Sequence, residues 1–174
     1  MEYEFTLKFK LTADIAKTDE LIERLGEAGC DDAVVGIGQP GRIALNFTRE
    51  AVSAKQAIIS ALANVKSAIP QVELIEVSPD LAGLTDIAEL VGVSRQNMRK
   101  LALKYPLSFP APVHEGSAAL WHLAPVLKWL VDRGDYSIAP SLLDVAHIAM
   151  QINLAKQADQ LEQPVQQEVR ELLA

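Results

Sequence analysis

Residues 84–104 read LTDIAELVGVSRQNMRKLALK. Ile87, Ala88 and Val91 share one side of a short helix by their spacing. Thr85 is its expected N-cap, since a hydroxyl there can accept from an orphan N–H of the first turn. Glu89 falls on the solvent side, and the small Ala88 lets a second helix come close. Gly92 supplies a backbone free to turn sharply, and Val93 returns an apolar side chain to the interior. Ser94 is the expected cap of the second helix, which Met98 and Leu101 anchor inward. That leaves Arg95, Gln96, Asn97, Arg99 and Lys100 on the outward, N-terminal half. Between residues 94 and 104 stand four bases (Arg95, Arg99, Lys100 and Lys104) and no acid.

The chain around this helix pair is acidic. Its 174 residues carry 16 Lys and Arg against 23 Asp and Glu, a net charge of −7, with 49% hydrophobic residues and one Cys. The length suits one large domain or two small ones, and the apolar content is enough to bury real cores. A single Cys allows no disulfide within the chain and suits a reducing compartment. Bulk acidity excludes a protein that coats nucleic acid by charge alone. Divided by segment, the charge is uneven. Residues 1–80 hold 8 basic and 13 acidic residues, residues 81–134 hold 6 and 4, and residues 135–174 hold 2 and 6, for net charges of −5, +2 and −4. The N-terminus, MEYEFTLKFKL, has no continuous apolar core of a signal peptide, and no apolar run approaches the roughly 20 residues of a membrane span. The cytoplasm is therefore the expected location, with no membrane partner.

Upstream, Tyr3, Phe5, Leu7, Phe9 and Leu11 alternate with polar residues, the period of a strand with one buried face. A helix follows over residues 17–30, capped by Thr18, with Leu21, Ile22 and Leu25 as its stripe. Short strands are expected over 33–37 and 42–48. A helix over 53–69, striped by Ile58, Ile59, Leu62, Val65 and Ile69, ends at Pro70, and a last strand runs over 71–77. The order β-α-β-β-α-β is that of a ferredoxin-like domain with an antiparallel sheet and both helices on one face. Ser78-Pro79-Asp80 reads as a short linker out of it.

Two helices around a glycine turn, the second with a basic outward face, are the grammar of a DNA-reading helix-turn-helix. Arginine, glutamine and asparagine reach base edges, while serine and lysine reach phosphates. The stretch LTDIAELVGVSRQNMRKL, followed by SFPAPV and then LWHLAPVLKWLVDR, resembles the MerR-type winged helix-turn-helix domain of the AlpA or excisionase-like subgroup over about residues 84–133. The resemblance implies that the helix from Ser94 enters the major groove and that a wing lies around residues 114–117. It also implies that Trp121 and Trp129 are core. Glu115 stands where that family usually carries a base, which leaves His114 and Ser117 as the wing's contacts.

The closing helix after Pro140, SLLDVAHIAMQINLAKQADQL, is apolar on a broad stripe through Leu142, Val145, Ala149 and Ile152. Such a helix must bury itself on its own chain or on a twin. MerR-type proteins commonly dimerise through a helix placed here, so the resemblance implies a homodimer with its two recognition helices about 34 Å apart.

Other motifs carry less. Gly36-Ile37-Gly38-Gln39-Pro40-Gly41 spells the dinucleotide fingerprint, but a strand follows it rather than the helix that would present its N-terminus to pyrophosphate. A hairpin turn is expected. The only aromatic in the third strand, Phe47, shares a face with Ile43 and Leu45, which argues against base stacking by the N-terminal half. His114, His122, His147 and Cys30 show no metal-ligand spacing, and Asp31-Asp32 has no nucleophile or phosphate cradle beside it.

The expected class is α+β: a ferredoxin-like domain over 1–79, a winged helix-turn-helix over 80–134, and a dimerisation helix with tail over 135–174. The expected function is a dimeric, sequence-specific regulator of double-stranded DNA, without enzymatic activity, metal or cofactor. Its DNA contacts are Ser94, Arg95, Gln96, Asn97, Arg99, Lys100, Lys104, His114 and Ser117. The N-terminal module senses a small molecule or assembles with a protein. The alternative is an adaptor or antitoxin-like subunit whose acidic N-terminal module holds a protein partner.

Overall fold

The computed structural model describes residues 1–11 and 18–174, apart from the side chain of Thr18, so the cap expected from that hydroxyl lies outside the described residues. The chain is mixed α and β. The first six elements are β1 (Glu2–Lys10), α1 (Thr18–Glu27), β2 (Ala33–Gly36), β3 (Arg42–Glu50), α2 (Ala54–Ala68) and β4 (Glu73–Ser78). The four strands form one antiparallel sheet in the order β2-β3-β1-β4. The residues 36–41 that spell the glycine fingerprint make the β2–β3 hairpin turn, with Gly41 at φ +73°. Alternation decides which face of the sheet is covered. Tyr3, Phe5, Leu7, Phe9, Ile43, Leu45 and Phe47 are all buried, and Phe5 stacks on Phe47 at 5.2 Å. Leu21 and Leu25 of α1 and Ala57, Ile58, Ala61 and Val65 of α2 close over them. Ile22 and Ile59, expected in those stripes, are instead exposed, because each lies one residue outside the arc that meets the sheet. Ser53 caps α2 by accepting from the N–H of Gln56.

One polar network pins this layer together. Arg49 donates from Nε and Nη2 to the two carboxylate oxygens of Asp32 at 2.6 and 2.8 Å, and from Nη2 to the Gly29 carbonyl at 2.7 Å. The Asp32 hydrogen bond raises the Arg49 pKa further, and burial pushes the neighbouring Cys30 thiol up from its ordinary value. Asp32 is thus taken up in holding the α1–β2 loop on β3.

The second half comprises β5 (Leu81–Ala82), α3 (Leu84–Val91), α4 (Arg95–Lys104), β6 (Trp121–His122), α5 (Leu123–Asp132), α6 (Pro140–Ala158) and α7 (Gln163–Leu173). The N-cap of α3 is Gly83 rather than Thr85. The Asp86 carboxylate accepts from the Gly83 N–H at 2.9 Å, so the third residue of the helix reaches back to the cap residue's own backbone. Its core gathers Ile87, Ala88, Met98, Phe109, Trp121, Leu123 and Leu127, with Trp129 packed against them.

Two expectations about the joint are corrected. Ser78-Pro79-Asp80 is not a free linker. Asp80 is buried, and its carboxylate meets His122 Nδ1 at 2.6 Å and accepts from Asn153 Nδ2 at 2.8 Å. Asn153 also pairs with both backbone groups of Val77, at 2.9 and 2.8 Å, while β5 pairs with β6 and the Leu123 N–H donates to the Asp80 carbonyl. Nor is α6 free to form a dimer seam. Val145 and Ala149 are buried in the core of the sheet layer, where Ile152 also packs, and Leu142 packs with Ala146 in the core of the second half. The helix is apolar nearly all round because it separates two cores of its own chain. Of the stripe, Val145 and Ala149 are buried inside the molecule, and Leu142 and Ile152 are half-buried against its two cores.

Candidate nucleic-acid interface

The candidate site is built on α4. Gly92, at φ +74°, ends α3 in the left-handed conformation that glycine adopts without penalty, and the Val93 N–H closes on the Ala88 carbonyl at 2.9 Å. This sharp turn lays α4 across α3. Ser94 caps α4, its hydroxyl accepting from the Asn97 N–H at 3.2 Å. Met98 is fully buried, and Leu101 and Ala102 pack beside it, so these three fix which side of the helix faces outward. Arg95, Gln96, Arg99, Lys100 and Lys104 are exposed, and Asn97 is half-buried beside its cap. No ion pair among the described residues engages Arg95, Arg99 or Lys100. Three cationic side chains without an internal partner, on a rigid helix with no acid on it, form a local positive surface.

Behind the end of α4 lies an aromatic cluster. Phe109 meets Trp121 and Trp129 edge-on at 6.3 and 5.1 Å, and Trp121 Nε1 donates to the Pro110 carbonyl. The Arg133 guanidinium lies over Tyr105 at 4.2 Å and Trp129 at 4.8 Å, and the Lys104 ammonium over Tyr105 at 5.2 Å. Lys104 and Arg133 together lower the Tyr105 phenol from its ordinary value.

His114 and Ser117 stand apart from α4. They are exposed on a hairpin closed by a bridge between His114 and Leu120, and no hydrogen bond or ion pair among the described residues ties it to α4. The His114 ring folds under Gly116, where a Cβ would meet Nε2 at 2.7 Å, so it is turned into its own loop. The aromatic strand β6 pairs with β5 rather than with this hairpin.

Two features escaped the sequence reading. Leu103 is 70% exposed in the middle of the basic face, and Leu107 just beyond it is fully exposed. Their apolar character reads as core until Met98 and Leu101 are seen to fill the inward side. The second is a cleft of about 700 Å³ at the joint, where Glu4, Thr6 and Asn46 from the sheet face Leu90 of α3 and Ser141 and Leu142 of α6. Its lining is discontinuous in sequence, and no local pattern announces it. Among the described residues no cluster of His, Cys, Asp and Glu is placed to hold a metal ion, and no helix is long and apolar enough to cross a membrane.

No known protein family, curated protein or solved structure matches this chain.

Proposed function

We propose that this chain is a sequence-specific double-stranded DNA-binding regulator that reads its site with α4. The observation that carries the reading is the outward face of α4. Arg95, Gln96, Arg99 and Lys100 project from its first two turns with Asn97 beside its cap, and no acid among the described residues pairs with the bases, on a helix fixed by Met98 and a glycine turn. A helix fits the major groove, and these are the side chains that bind guanine, adenine and phosphate. In this reading residues 80–134 act as a winged helix-turn-helix of MerR type, with α4 as recognition helix and the hairpin at residues 113–120 as a minor contact. The sheet layer, in its ferredoxin-like order, is the sensing or assembly module. The cleft between them supports a sensing role, because a ligand there would touch the sheet, α3 and α6 together.

Selection of duplexes from a random pool would identify the site. Arg95→Ala and Arg99→Ala should each weaken binding to that duplex by about 5- to 150-fold, since a bidentate base contact is worth about 1–3 kcal/mol, while circular dichroism stays unchanged. Wild-type affinity in both variants would remove α4 from the interface.

A further inference from the structure

Helix α7 has no buried residue. Val165, Val169 and Leu172 form one stripe at helical spacing, and they are 48%, 44% and 84% exposed. A helix of 11 residues is marginal in water without a surface to pack on. The acids of α7, Glu168 and Glu171, outnumber its one base, Arg170, and Glu162 and Asp159 precede it. Glu168 flanks the apolar stripe and has no partner among the described residues.

The outward face of α4 is its complement. Leu103 sits between Arg99, Lys100 and Lys104, with Leu107 beyond, and Gln96, Arg99, Lys100, Leu103 and Lys104 line a shallow groove of about 550 Å³. The two helices have 10 and 11 residues, each roughly 15 Å long at about 1.5 Å per residue. One offers leucines framed by bases, the other valines and leucines framed by acids. Within one chain both faces are open.

We propose that α7 of a second copy of this chain docks on the outward face of α4, with Val169 and Leu172 against Leu103 and with Glu168 against Lys100. Docking covers the basic side chains, so a chain so engaged is blocked at α4. On the function proposed above, α7 and DNA compete for one surface, and binding to DNA weakens as the protein self-associates. The docking itself does not depend on what else α4 binds.

Amide hydrogen exchange of the full chain without DNA, followed across protein concentration, tests the docking. In the wild type, protection of residues 95–104 and 163–173 should rise together with concentration. Glu168→Lys, Lys100→Glu and Leu172→Ser should each abolish that rise in both segments. Combining Glu168→Lys with Lys100→Glu should restore it, a rescue that general destabilisation cannot produce. Protection that is independent of concentration would place α7 on its own chain and overturn the proposal. So would protection of residues 163–173 alone, which would mean that α7 pairs with α7. A single charge reversal that behaves as wild type would overturn it too. None of these outcomes depends on DNA, so failure of the DNA reading is scored separately by the duplex-binding assay.

Discussion

Asn153 shows how much one polar side chain can fix. Buried in α6, it donates to the Val77 carbonyl and to Asp80, and accepts from the Val77 N–H. Those backbone groups face α6 rather than another strand, so the amide stands in for a missing ladder partner. Asp80 in turn receives His122, so three sequence-distant residues tie together the end of β4, the end of β6 and the second half of α6. Asn153→Leu keeps the approximate volume but leaves the Val77 groups and one Asp80 oxygen without a donor or acceptor. An unmet buried group costs about 1–3 kcal/mol. With three such groups unmet, urea unfolding should show a loss of at least about 3 kcal/mol. A loss under about 0.5 kcal/mol, the range of ordinary surface changes, would mean that water reaches the joint.

At the scale of elements, α6 is the decisive piece. Val145 and Ala149 face the sheet layer while Ala146 faces the second core, and all three are fully buried or nearly so. Alanines at 146 and 149 keep the helix close to both neighbours. Ala149→Leu should overpack the contact with α2 and β1 and destabilise the chain by about 1–3 kcal/mol in the same urea assay. A neutral result would show slack in this packing. The sequence made several elements readable for definite reasons. The alternation from Tyr3 to Phe9 announced β1 and its buried face. The sequence Gly92-Val93-Ser94 announced the turn and the start of α4. What α6 packs against could not be read there, because a helix apolar on two sides has the same pattern whether its second side meets a twin or another core of its own chain. The Asp80 joint was hidden for a similar reason. A Ser-Pro-Asp triplet reads as a polar linker until Asn153, 73 residues later, is brought to it. The hairpin expected as a wing around residues 114–117 closes with a bridge between His114 and Leu120, and β6 pairs with β5.

At the scale of the whole molecule, charge and connectivity act together. The acidic flanks over residues 1–80 and 135–174, −5 and −4, bracket a segment of +2 whose positive charge is concentrated on α4. Flanking negative charge penalises indiscriminate contact with a phosphate backbone, so on the proposed function affinity rests on a few contacts made in register. Because α6 belongs to both cores, a ligand in the cleft beside Leu90 and Leu142 would act on a joined body rather than on a tethered domain. If α4 is the surface that meets DNA, the salt dependence of duplex binding must register its phosphate contacts. Each phosphate contact contributes about −0.9 to the slope of log K against log salt. With the selected duplex, Lys100→Ala and Lys104→Ala should each reduce the wild-type slope by up to about one, and the double variant by up to about two. A slope unchanged in the double variant, with affinity retained, would remove α4 from the interface and place any nucleic-acid contact elsewhere on the molecule.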